Sequence, residues 1–195
     1  MRRSAILHAV PILLALLAPL PAQAQQDAAP LWAALAAGGH VVLIRHAYAP
    51  GNGDPPGFRL GECATQRNLN DEGRAQARAI GQALRRHGVA VRQVRSSRWC
   101  RCLETARLLD LGEVEPWPAL DSLYGERRVH EPGQTAQLRA LVSEPPAAGA
   151  GVLVLVTHQT NILALTGVGA RSGELVVLRP LGAGRFTVLG RIATR

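Results

Sequence analysis

Three short stretches of the chain set basic or nucleophilic side chains directly after apolar runs. In VVLIRHAYAPGN, residues 41–52, a strand-like run ends in Arg45 and His46. In VRQVRSS, residues 91–97, a second run ends on Ser97, and Arg101 follows one helical turn later. In VLVLVTH, residues 152–158, a third run ends on Thr157 and His158. Singly, each has an ordinary explanation: a strand-end histidine is most often a hydrogen-bonded edge residue, and an arginine is most often solvated. Together at three strand ends, two histidines and two arginines suit an anionic, tetrahedral partner. Phosphate fits.

The elements that must position these groups can be read from periodicity. Residues 40–46 form a short apolar run that predicts a central strand. The loop APGNGDPPGFRLGE follows, too rich in Gly and Pro for regular structure and suited to a pocket rim. A helix is expected next, capped by Asn70, with Asp71 and Glu72 in its first turn and Gly88 as its stop. Leu69, Gly73, Ala77, Ile80 and Leu84 give it one buried face. Residues 91–97 predict a second strand, and Trp99, Leu103, Ala106 and Leu109 a helix after it. A third strand is expected within Val114–Leu120, residues 121–133 as loop, and TAQLRALV as a helix. GVLVLVTHQTNILALTG reads as strand, turn and helix, and two strands joined by a Gly-rich hairpin close the chain. This order implies the α/β class: one three-layer α/β/α domain with a mostly parallel central sheet. Ligands in such folds gather at the carboxyl ends of the strands.

Composition narrows the setting. Residues 1–24 read as a signal peptide, with Arg2 and Arg3 before an apolar run and Ala22-Gln23-Ala24 as the cleavage site. The expected location is therefore periplasmic or secreted, with the domain spanning 25–195 and no stable membrane insertion after cleavage near Ala24. All 22 basic residues are arginine. Loss of Arg2 and Arg3 leaves twenty arginines against fourteen acids, a formal charge of +6 that favours anionic partners. The arginines are scattered, without a basic block or interleaved aromatics, so nucleic acid is not expected. Three cysteines in an oxidising compartment give one disulfide and one thiol. We expect Cys63 to pair with Cys100 and Cys102 to stay free. Helical geometry turns Cys100 and Cys102 to different faces, and only one can meet the rim loop. The Cys-Arg-Cys spacing does not suit zinc, and no metal site is expected.

LIRHA, LNDEGRAQA, SSRWCRCLETA and VTHQTN, in this order, resemble the histidine phosphatase superfamily and its phosphoglycerate mutase-like fold. The likeness runs from about Gly39 to Arg191. It implies that His46 is the nucleophile, forming a phosphohistidine. Arg45, Arg101 and His158 would hold the transferring phosphoryl group, with no metal or other cofactor. Asn52 stands where the family often places a polar pocket residue. The general acid is less well matched. One branch carries His-Asp at the second histidine, but this chain has Gln159. The other supplies a glutamate after the third strand, where Asp121, Glu126 and Glu131 are available. Glu126 and Glu174, the latter at the start of a later strand, are the leading acid candidates. The expected activity is that of an exported phosphomonoesterase acting on a small phosphorylated substrate or an envelope phosphate group. Mutase activity is not expected, because no insertion is large enough to form a lid. Two alternatives remain: a protein phosphohistidine phosphatase, and a non-catalytic phosphate-binding module suggested by Gln159.

Overall fold

The computed structural model describes residues 28–194. The expected signal segment at 1–24 and the terminal Arg195 lie outside the described residues. Six strands form one sheet: β1 (Val41–Arg45), β2 (Val91–Ser96), β3 (Val114–Pro116), β4 (Val152–Thr157), β5 (Leu175–Gly182) and β6 (Arg185–Ile192). Their order is β3-β2-β4-β1-β5-β6. β1, β2, β3 and β4 are parallel to one another. β5 runs antiparallel to β1, and β6 antiparallel to β5. The sheet is therefore mixed, with a parallel body and an antiparallel edge. The cause is local. The turn Gly182-Ala183-Gly184 is far too short for a crossover, so it can join only antiparallel neighbours. Ala183 accepts a left-handed φ of 50° to close it.

The central strands carry apolar side chains on both faces, as a sheet covered on both sides requires. Val42, Ile44, Val154, Val156 and Val177 pack toward α1 (Ala29–Ala36), α2 (Asp71–Arg86) and α3 (Cys100–Leu109). Val41, Leu43, Leu153, Leu155 and Val176 pack toward α4 (Glu131–Ser143) and α5 (Gln159–Thr166). Three layers result. The Asn70 side chain caps α2 by accepting the Gly73 amide at 2.9 Å. Gly88 follows that helix with φ +67°.

One helix is unexpected, and three local expectations change. α1 has no capping side chain, so its Leu31 and Leu35, one turn apart and buried, gave little sequence signal. In α3 the buried face runs through Cys102 rather than the half-buried Leu103. The third strand stops at Pro116, and Pro118 opens a 3-10 turn, Pro118–Leu120. Part of the expected 121–133 loop is a second 3-10 turn, Gly125–His130. α4 then begins at Glu131, with Pro132 in its first turn, where a missing N–H costs nothing.

α2 and α3 meet closely at Gly81, where an added Cβ would lie 1.9 Å from the Leu109 carbonyl oxygen. Gly81→Ala gains up to about 1 kcal/mol of helix propensity but must overpack this contact, at roughly 1–3 kcal/mol or more. We expect net destabilisation, with a thermal midpoint lower by several degrees. Gly133→Ala, in open space on α4, should be neutral or stabilising. Thermal unfolding of both variants checks the pair.

Candidate active site

The register of the sheet creates the site. Arg45 and Thr157 are partners across β1 and β4, so the next residues, His46 and His158, emerge side by side. The His46 amide still donates to the Thr157 carbonyl at 2.9 Å, and the Ser97 amide to that of Val156 at 2.9 Å. The two imidazoles meet edge to face, with centroids 5.5 Å apart. Arg101 comes from the first turn of α3, and α5 begins directly after His158. Two helix N-termini thus open near the site, where backbone N–H groups favour anions. The sequence-predicted residues Arg45, His46, Asn52, Arg101 and His158 all line one cavity of about 230 Å³.

Both histidines are neutral. Burial, then the charge of Arg101, lowers the His46 pKa to about 3. Burial and Arg101, with His46 and two further arginines, hold His158 well below its ordinary value. The His46 Nδ1 lies 2.8 Å from the Ala47 carbonyl. A carbonyl only accepts, so Nδ1 carries the proton and Nε2 keeps the lone pair. In His158, Nδ1 faces an Arg101 donor at 3.5 Å. Its Nε2–H therefore donates to Ser97 Oγ at 2.9 Å, and Ser97 donates to Asp121 Oδ1 at 3.3 Å. A buried hydrogen-bonded chain thus fixes the second imidazole.

Two further lining residues escaped the sequence reading. Asp54 grips Arg101 through Oδ1 at 2.6 Å and Oδ2 at 3.3 Å, and accepts the Trp99 indole N–H at 3.0 Å. Arg67 donates through Nε to the Gly53 carbonyl at 2.7 Å and through a terminal nitrogen to that of Ala49 at 2.5 Å. It staples the rim loop while adding a third guanidinium to the cavity. The available signal was weak: one acid in a Gly/Pro-rich rim loop, and one arginine just before a helix cap. Burial, followed by the charge of Arg101, lowers the pKa of both Arg45 and Arg67. This crowd of cations opposes its own charge. Meanwhile Nε of Arg45 and Nε of Arg101 are buried donors without a hydrogen-bond partner.

The acid candidates are not brought in. Glu126 is exposed on the Gly125–His130 turn, outside the cavity lining. Glu174 is buried elsewhere, where it accepts the Arg171 amide at 2.8 Å and approaches Arg191 at 3.8 Å. Asp121 is committed to Arg98, which donates to it through its amide at 2.9 Å and through Nε at 2.8 Å. Glu131 begins α4 and lies 3.8 Å from Arg128. Proximity along the chain misled the reading, because strand direction and local ion pairs carry these carboxylates away. Among the described residues lining the cavity, only Asp54 is acidic. Burial alone would raise its pKa, but hydrogen bonds and charge from Arg101, with Trp99 and the Arg67 amide, outweigh that and lower it. Asp54 is a carboxylate, not a proton donor.

Cys63 and Cys100 form a disulfide that joins the rim segment to the start of α3, and Cys102 is buried and free. Burial raises the Cys102 thiol to about 12, so it stays protonated beside His158.

The model of the histidine phosphatase superfamily, branch 1, matches residues 41–128, which hold His46, Asn52, Asp54, Arg67 and Arg101. That segment resembles this superfamily, and the chain has the phosphoglycerate mutase-like fold. It is similar to the protein histidine phosphatase SixA complexed with tungstate, at 17% identity and TM-score 0.60 over 79% of this chain and 96% of that one. It is also similar to the Mycobacterium tuberculosis reading frame Rv3214, at 17% identity and TM-score 0.60 over 77% and 95%. A third likeness is to the mycobacterial glucosyl-3-phosphoglycerate phosphatase Rv2419c with VO3, at 19% identity and TM-score 0.54 over 78% and 98%. At these identities the structural likeness concerns the fold. No curated protein matches the sequence.

Two predictions follow from the geometry. A histidine in the unfolded chain takes up its proton near pH 6.5, whereas folded His46 resists until about 3. Between those values the unfolded state binds more protons, so its contribution to stability is full above 6.5 and falls with pH, by up to about 1.4 kcal/mol per unit. His46→Gln should flatten this slope, as read by denaturant unfolding at pH 7 and pH 5. The Cys63–Cys100 bridge closes a sequence separation of 37 residues, worth roughly 4 kcal/mol on a chain-entropy scale. The double Cys→Ser variant should show that loss in the same assay.

Proposed function

We propose that the chain is an exported phosphomonoesterase that acts through a phosphohistidine at His46. One observation carries the reading. A neutral imidazole with its Nε2 lone pair unprotonated shares a cavity with two buried guanidinium donors that lack partners. An oxyanion supplies what those donors need, and phosphorus then lies within reach of a nucleophile. His46 Nε2 attacks phosphorus, and the ester oxygen leaves with the bonding electrons. Arg45, Arg67, Arg101 and His158 hold the non-bridging oxygens, where the charge of the transition state is spread. Water then attacks the phosphohistidine, which regenerates His46 and releases phosphate. The guanidiniums supply positive charge without a divalent ion. An envelope phosphate or a small phosphorylated compound suits this chemistry and the expected export.

The leaving group is the weak point of the site. With Asp54 held ionised, proton donation falls to neutral hydroxyls in the cavity, on Ser122, Thr160 and Tyr124. This favours leaving groups that need no proton, such as aryl oxides. It also supports a second reading, hydrolysis of phosphoramidates such as protein phosphohistidine, whose protonated imidazole departs neutral.

The test is a panel of phosphoesters with and without His46. The wild type should trap acid-labile phosphate, lose activity to vanadate, and keep it in excess chelator. His46→Ala should show neither trapping nor turnover while remaining folded. General acid catalysis is worth about 10² to 10⁴ in rate, so alkyl phosphates should lag behind aryl phosphates by at least that factor. Full activity in His46→Ala would remove the nucleophile assignment. Phosphate binding without turnover of any ester would leave a binding module.

A further inference from the structure

Beside the catalytic cavity lies a larger groove of about 710 Å³. The groove has the size of a small-molecule site, while the cavity of about 230 Å³ is a third of that. Ser122 lines both. Trp99 joins them as well: its ring meets His158 edge to face at 5.6 Å and has the Arg127 guanidinium over it at 5.0 Å. Arg127 also lies 4.6 Å from the Phe58 ring.

The two arginines of the groove differ. Arg98 has its charge answered by Asp121. Arg127 makes no ion pair with an acid among the described residues, and its Nε is buried without a hydrogen-bond partner. A guanidinium stacked on aromatic faces keeps its edge for planar recognition of an oxyanion. The lining mixes polar side chains such as Gln134 and Gln137 with apolar ones, of which Leu60 and Val129 remain exposed. An unpaired cation stacked on two aromatic rings next to a phosphate cavity suits one kind of ligand.

We propose that this groove is the leaving-group subsite, and that Arg127 holds a second oxyanion, carboxylate or phosphate, carried on that leaving group. The proposal rests on the phosphatase reading and narrows its substrates to compounds with two anionic groups joined by an apolar or ring-like spacer. The phosphate to be cleaved sits among Arg45, Arg67 and Arg101, and the spacer passes Ser122 to lie against Trp99 and Phe58.

Four aryl phosphates test it: phenyl phosphate, 4-carboxyphenyl phosphate, its neutral isostere 4-carbamoylphenyl phosphate, and 1,4-phenylene bisphosphate. A charge-assisted contact should raise kcat/KM by about ten- to a hundredfold, mainly through KM, for the carboxylate over the carbamoyl compound or for the bisphosphate over phenyl phosphate. A gain confined to one of them identifies which oxyanion is preferred, and both results support the subsite. Arg127→Gln should bring the favoured ratio to about one, and Arg127→Lys should restore part of it. Equal kcat/KM across all four substrates in the wild type would overturn the subsite and leave the phosphatase reading standing. So would an Arg127→Gln variant that lowers every rate by one common factor. Hydrolysis of none of the four would overturn both.

Discussion

The Arg101–Asp54 ion pair has 3% side-chain exposure on each partner. Charges so far from water are held only when further hydrogen bonds complete them. Here Trp99, the Arg67 amide and the Arg67 carbonyl do so. This pair ties the rim loop to α3 beside the other charges of the cavity. Asp54 answers one guanidinium among three. The remaining positive charge is confined by apolar strands beneath and by the rim above. Its relief would come from an anion, so the charge of the cavity suits an oxyanion better than a cation.

Burial, and after it the same field, sets the state of the histidines. In water an imidazole near neutral pH is divided between two protonation states. Buried among these guanidiniums both rings are neutral, and the hydrogen bond to the Ala47 carbonyl decides which nitrogen of His46 keeps its lone pair. His158 is oriented from further away, through Ser97 to Asp121 and on to Arg98. A carboxylate bound in that way steadies a ring and is itself held by Arg98. The cavity is rich in guanidinium donors and poor in acids, its one lining carboxylate being tied to Arg101.

Rigidity comes from three sources that act on the same small region. The strand register brings His46 and His158 out together. The Cys63–Cys100 bridge and the Gln66 side chain, which accepts the Cys100 amide at 3.0 Å, tie the rim to the helix bearing Arg101. Close approach of α2 to α3 at Gly81 leaves that helix little freedom. Such over-determination holds the charged groups of the cavity at a fixed spacing.

By itself the sequence determined the parallel body of the sheet, the Asn70 cap, and the delivery of Arg45, His46, Ser97 and His158 at strand ends. These follow from local rules, since apolar runs become buried strands and polar residues after them emerge at the carboxyl edge. Tertiary structure alone decided what those residues meet. Asp54 and Arg101 are 47 residues apart, and Asp121 and Asn161 are 40 apart; no periodicity encodes such pairings. Glu126 and Glu174 looked eligible because they are acids near the right elements, yet the chain turns one to solvent and ties the other near Arg171 and Arg191. Residue type and spacing are local properties. The protonation state and partner of a buried charge depend on all the charges folded around it.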